Sequence, residues 1–406
     1  KSKKVNVNFI LKAKKEELLM KKWICLLLCA ALLLLCACAP PSEGPENPGT
    51  DPGIENPGDG EDPGGQDDPD DPVGPAVTYY TNPVFEPIFA DPTVIRHTDG
   101  TFYAYATSDY STWDGENRAS RTALIPIIKS DDLVNWEYVG DVFNASNRPT
   151  WRPASFGIWA PDIIRIGDTY NLYYSFAGWA DAQNSAIGVA TAPHPEGPWT
   201  DHGMVVDTPT TGVQQSIDSF TFEYEGGIYM IWGSYYGMFY IELTADGLSV
   251  KEGAKAVQIG GRTNFSTYEA AWLTQYGDYW YLFTSHGNCC EGLNTNYYVQ
   301  AFRAESPFGP YYGEDGNPML GSGLGTNVIR NNADFVGCGH NAVIQDDAGD
   351  YWIVYHGYDT TQPGTVDGTN RRALCIDKLY WDGGWPHTQN NGASAGETVA
   401  PYITFP

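Results

Sequence analysis

The fold class predicted by this sequence is all-β, a five-bladed β-propeller with its site at the central axis. Three observations carry the prediction. From Thr78 onward there is no amphipathic helical periodicity; short runs of Tyr, Trp, Ile, Val and Thr alternate with Gly, Pro, Asp and Asn. A unit recurs five times: a polar marker residue opens an apolar strand, and a glycine turn leads into an aromatic strand. The turn glycines fall at 100, 167, 226, 277 and 349, steps of 67, 59, 51 and 72 residues, enough for four strands each. A sandwich or jelly roll would not produce a fivefold phase.

The elements follow in chain order. Residues 1–19 read as a misassigned upstream segment. Residues 20–37 have the basic start and short apolar run of an export signal. The run is too short to span a bilayer stably. It ends in Leu35-Cys36-Ala37-Cys38, which resembles a bacterial lipoprotein box and makes Cys38 the lipidation site. Residues 38–77 are a linker of Pro, Gly, Asp and Glu, with eleven carboxylates and no Lys or Arg between Ala39 and Val77. Such a stretch cannot offset ordering entropy by burial and stays extended. These segments predict an exported bacterial lipoprotein at the outer membrane or cell surface, touching membrane only through its anchor. Residues 78–406 are the propeller domain, expected to be monomeric.

The five units open at Ala90-Asp91-Pro92, Trp159-Ala160-Pro161-Asp162, Ile217-Asp218-Ser219, Tyr268-Glu269-Ala270 and Gly339-His340-Asn341. Asp131 to Trp136, Gly197-Pro198-Trp199 and Gly309-Pro310-Tyr311 repeat in phase as turns into an outer blade strand. Most of the 13 Trp and 27 Tyr are expected to pack between blades. Trp159 and Phe220, beside marker residues, are expected on the pocket wall.

Charge excludes several partners. Without residues 1–37 the chain has 15 basic and 48 acidic side chains, a net charge of −33. Nucleic acid and anionic lipid surfaces are excluded, and a neutral polysaccharide fits. Past the leader and anchor only Cys289, Cys290, Cys338 and Cys375 remain, with no C-x-x-C pair, so zinc is not expected. Two free thiols are favoured at Cys289-Cys290 over a vicinal bridge. A Cys338–Cys375 bridge stays open.

Placed at one phase of a circular repeat, Asp91, Asp162, Asp218, Glu269 and His340 converge on the axis. Gathered carboxylates cannot all ionise cheaply, so one keeps its proton while another is charged. Glycosidic cleavage needs that division: one acid protonates the leaving oxygen, and one carboxylate activates water or attacks the sugar. An inverting enzyme holds the two about 6.5–9.5 Å apart.

These motifs resemble glycoside hydrolase family 43, the five-bladed propeller glycosidases, over residues 82–386. The resemblance implies Asp91 as general base, Glu269 as general acid, Asp218 as the residue that tunes the acid, and inversion of configuration. Ser219 stands where many relatives have Pro. Ser285 to Gly292, Asn296-Tyr297-Tyr298, Tyr355 to Asp359 and Arg371 to Pro386 look like the endo-acting α-1,5-arabinanases. The implied substrate is plant cell-wall arabinan or arabinoxylan. In that group calcium sits near the pocket on the fifth-blade histidine and waters, implying calcium at His340. One of Arg371 and Arg372 is expected to reach the acids or substrate, the other to face away. Exo-acting α-L-arabinofuranosidase or β-xylosidase is the alternative within the family, if Asn144 to Arg152 or Asp109 to Arg121 closes one side. A non-catalytic glycan-binding propeller would lack one acid, and none is missing. No fructan-type Asn-Asp-Pro-Asn opening is present.

Overall fold

The computed structural model describes residues 77–111, 121–179, 181–262, 268–321 and 323–404. The upstream segment, the leader, Cys38 and the acidic linker up to residue 76 lie outside the described residues. So does the middle of the Asp109 to Arg121 loop.

Each repeat unit is an antiparallel sheet, and the sheets follow one another as blades. Blade 1 comprises Thr93–Arg96, Phe102–Tyr105, Leu124–Ser130 and Glu137–Phe143. Blade 2 comprises Gly157–Ile166, Thr169–Ala177, Ala186–Ala192 and Thr200–Asp207. Blade 3 is Phe220–Tyr224, Gly227–Trp232, Met238–Leu243 and Val257–Gly260; blade 4 is Glu269–Tyr276, Tyr279–His286, Tyr298–Ala304 and Thr326–Ile329. Blade 5 has three strands, Phe335–Gln345, Tyr351–Asp359 and Ala373–Lys378. Its outer edge is covered by the N-terminal segment instead of a fourth strand: Val84 N–H donates to Leu374 O at 2.8 Å, and Leu374 N–H donates to Phe85 O at 2.9 Å. Tyr79–Tyr80 pairs with Thr398–Val399, bringing the two ends of the domain together.

All five hairpin glycines adopt positive φ, from 59° to 100°, the left-handed region these tight turns require. The aromatic strands pack as expected. Five buried apolar clusters fill the five spaces between neighbouring blades. The last joins blade 5 to blade 1 through Phe89, Phe102, Trp352 and Ile376, closing the ring.

The inner strands share a backbone irregularity that aims the site. Asp91, Ala160, Asp218, Ala270 and His340 all have left-handed φ, 41° to 59°. This conformation costs roughly 1–2 kcal/mol for a non-glycine residue. In blades 2, 4 and 5 the strand pairing slips at this point, between Trp159 and Asp162, Glu269 and Trp272, and Gly339 and Ala342. Such a bulge re-aims the side chains around it. Neighbouring blades hold four of these kinks. Ala160 N–H donates to Thr107 Oγ1 at 2.8 Å, Asp218 N–H to Ser175 Oγ at 2.9 Å, and His340 N–H to Ser285 Oγ at 2.8 Å. Asp91 N–H donates to His356 Nδ1 at 3.1 Å.

Candidate active site

Aligned on the left-handed residue, the five markers do not occupy one phase. Asp91, Asp218 and His340 do. Glu269 lies one residue earlier, where Trp159 sits in blade 2. Asp162 lies two residues later, as does Phe220 in blade 3. Past the bulge this position faces the next blade. Phe220 is therefore buried between blades 3 and 4, its ring 4.8 Å from that of Trp272, and is not a pocket residue. Asp162 is likewise absent from the pocket wall. It is 2 % exposed, and burial pushes its carboxyl up to about 8, against a lowering influence from Thr221 of blade 3.

The pocket is a cavity of about 370 Å³, within the usual range for small-ligand clefts. Asp91, Trp159, Asp218, Glu269, His340 and Arg372 line it. Gly157 makes room for Trp159, since a Cβ there would fall 1.9 Å from the indole nitrogen. Trp159 meets Trp179 with ring centroids 5.1 Å apart, and Trp179 is 80 % exposed.

The two arginines separate as strand alternation predicts. Arg372 Nη1 donates to Asp91 Oδ1 at 2.8 Å, whereas Arg371 turns outward and donates to Glu86 Oε1 at 2.7 Å. Arg371 thus does not line this pocket. Asp91 also accepts from Thr107 Oγ1 at 2.6 Å, and Nδ1 of both His340 and His356 lies 3.3 Å from its Oδ1. Burial alone would raise Asp91, but Arg372, the two imidazoles and the Thr107 hydroxyl outweigh it and hold the carboxyl well below its ordinary range. Burial lowers both histidines, so both are neutral at pH 7.

Glu269 and Asp218 are shifted the other way. Burial raises Glu269 to about 7, against hydroxyl donors from Tyr297 at 2.7 Å and Ser234 at 2.8 Å. Burial, then Glu269, then Asp91 push Asp218 well above its ordinary value, against the Ala270 N–H and Arg372. Repulsion between two such carboxyls belongs to both, so they titrate as a unit that keeps a proton at neutral pH. One pocket therefore holds an ionised carboxylate and a protonated acid.

The profile of Glycosyl hydrolases family 43 matches residues 80–386. The chain belongs to this family. It is a glycoside hydrolase of the arabinanase-like kind. It is 31 % identical over 304 residues to the extracellular endo-α-(1→5)-L-arabinanase 1 of Bacillus subtilis, covering 73 % of this chain and 86 % of that one. It is 29 % identical over 320 residues to the extracellular exo-α-(1→5)-L-arabinofuranosidase ArbA of Cellvibrio japonicus, covering 73 % and 85 %. The Cellvibrio cellulosa α-L-arabinanase complexed with arabinohexaose superposes with a TM-score of 0.63 at 28 % identity, covering 75 % of this chain and 96 % of that one.

Several residues of this family 43 site went unnoticed in the sequence. Thr107, Ser175, Ser234, Ser285 and His356 close the second strand of each blade. Thr107, Ser175, Ser285 and His356 support the kinks, and Thr107 and Ser234 support the carboxyls of Asp91 and Glu269. The available signal was a polar residue just past every aromatic run. Cys289 and Cys290 are bonded to each other, against the expectation of two thiols, and line the pocket. Cys338 and Cys375 are buried free thiols.

Calcium would find one nitrogen here, that of His340. Asp91 is already engaged by Arg372, and among the described residues no group of three or more His, Cys, Asp or Glu could hold a metal ion. The residues fit a water-completed shell, not a cage of protein oxygens.

Proposed function

We propose that the protein cleaves α-1,5-linked L-arabinan with inversion, acting mainly within the chain. The observation that carries this is the division of charge in one pocket, with Asp91 held ionised and the Asp218–Glu269 pair held protonated. Asp91 takes a proton from the attacking water. Glu269 gives one to the departing sugar oxygen, and Asp218 keeps that acid charged with its proton. Relatives of both endo and exo type support the linkage.

Endo action is favoured by the Asn144 to Arg152 segment. It packs on blade 2 and is not part of the pocket lining, with Trp151 4.9 Å from Phe176 and Arg152 paired with Asp207 at 2.8 Å, whereas Asp109, at the start of the other loop, does line the pocket. The test is a product time course on linear arabinan. Oligomers first supports endo action; arabinose alone from the outset overturns it in favour of the exo alternative.

The export signal and Cys38 support a lipid-anchored enzyme, and its extracellular relatives are consistent with export. Fatty-acid labelling that persists in Cys38→Ala would overturn that anchor. Calcium is proposed at His340, with water completing its shell; when bound it would add positive charge beside the acids. Metal analysis after exhaustive chelation tests this. Metal-free protein with full activity removes calcium from the account.

A further inference from the structure

The Cys289–Cys290 bridge contributes little to stability. A disulfide stabilises by closing a loop in the unfolded chain, and adjacent residues close almost none. Yet the turn carrying it is held from several sides. Tyr358 Oη donates to Cys289 O at 3.1 Å, and Asn370 Nδ2 donates to Cys290 O at 3.1 Å. Asn370 Oδ1 in turn accepts from Gly292 N–H at 3.0 Å. Asn288 N–H donates to Asn296 Oδ1 at 2.7 Å across the base of the loop. Gly287 cannot be enlarged, since its Cβ would fall 2.6 Å from Asn296 O.

What this scaffold presents is a partly exposed pair of sulfurs on the pocket wall. The loop leaves blade 4, the blade that carries Glu269, just after His286, and seats the bridge against Tyr358 and Asn370 on the blade 5 side; we take this as the acid's side of the funnel. The group protonated by the acid departs on that side. Two joined sulfurs offer a fixed, polarizable, uncharged surface without side-chain freedom to lose, which suits the carbon face of a neutral sugar.

We propose that the Cys289–Cys290 disulfide is the wall of a sugar subsite on the leaving-group side of Glu269. The inference rests on the glycosidase reading above, although not on which glycan is cleaved. Covering the two sulfurs with a sugar ring is worth on the order of tenfold in affinity.

The experiment uses the full chain and whichever neutral glycan the wild type hydrolyses. Peptide mass spectrometry first establishes the bridge: the Cys289–Cys290 peptide is two hydrogens lighter than its reduced form. The Cys289→Ser/Cys290→Ser double variant is then compared with wild type. The expected result is a KM raised about tenfold with kcat within a few-fold and melting temperature unchanged. If the double variant does not fold, wild type reduced with a dithiol, with the reduced peptide verified by mass, is assayed in its place and should show the same rise. Unchanged KM in the folded variant or the reduced enzyme overturns the proposal, as does active wild type found with both thiols free before any reductant is added. Wild type inactive on arabinan but active on another glycan overturns the substrate reading and leaves this test intact.

Discussion

Arg372→Met removes the cation that keeps Asp91 ionised. Arg372 Nη1 lies 2.8 Å from Asp91 Oδ1, with both side chains about nine-tenths buried. A close opposite charge depresses a carboxyl by about 1–3 pH units. The Thr107 hydroxyl and two neutral imidazoles remain, but burial now dominates, so Asp91 should rise by about that amount. Asp91 works as a base only when ionised, so the acid limb of kcat/KM should move up by about 1–3 pH units. Arg372 is a lesser influence on Glu269 and Asp218, so the alkaline limb should move up by less and the profile should narrow. Breaking a buried pair costs about 3–5 kcal/mol, and the pH dependence of that loss is a second check. In wild type, Asp91 has a depressed folded pKa; its contribution is present above the unfolded value and fades as pH falls through the folded one. In the variant the folded pKa returns toward the unfolded one, so this pH-dependent contribution is largely lost. The melting-temperature gap should therefore be full near neutrality and shrink only as pH falls below about 4. A folded Arg372→Met enzyme with the wild-type acid limb would refute the role given to this ion pair.

Asp218→Asn should move the alkaline limb of kcat/KM down, because the remaining Glu269 no longer shares a proton with a like charge. An unmoved limb in a folded variant would make Asp218 structural. Gly157→Ala should push the Trp159 indole off the pocket wall, raising KM several-fold while kcat and melting temperature change little. An unchanged KM would show that Trp159 does not touch substrate.

The fivefold unit, its glycine turns and its aromatic packing were legible in the sequence because each follows from local periodicity. Asp91, Asp218 and His340 were legible as a set for the same reason. Asp162 and Phe220 were misplaced because a bulge is invisible to residue counting. Two residues beyond the kink the chain faces the neighbouring blade, so a carboxyl and a phenyl ring that looked axial are buried between blades. Glu269 reaches the pocket from one residue before the kink, so the motif marked a pocket residue for a reason counting could not supply. Arg371 and Arg372 illustrate the opposite case, where strand alternation alone predicted one inward and one outward side chain. The Cys289–Cys290 bond depends on a loop held by Tyr358 and Asn370, some 70 to 80 residues away in sequence, which no local pattern reveals.

The division of labour between Asp91 and Glu269 is tested most directly by leaving-group dependence. Glu269→Gln should lose roughly 10²–10⁴-fold on linear arabinan, where the departing alcohol needs a proton. It should lose far less on an aryl α-L-arabinofuranoside with an acidic phenol as leaving group. Asp91→Asn should lose activity on both, since water must be activated whatever departs. Equal losses of Glu269→Gln on the two substrates, or near wild-type turnover by Asp91→Asn, would contradict the assignment of acid and base.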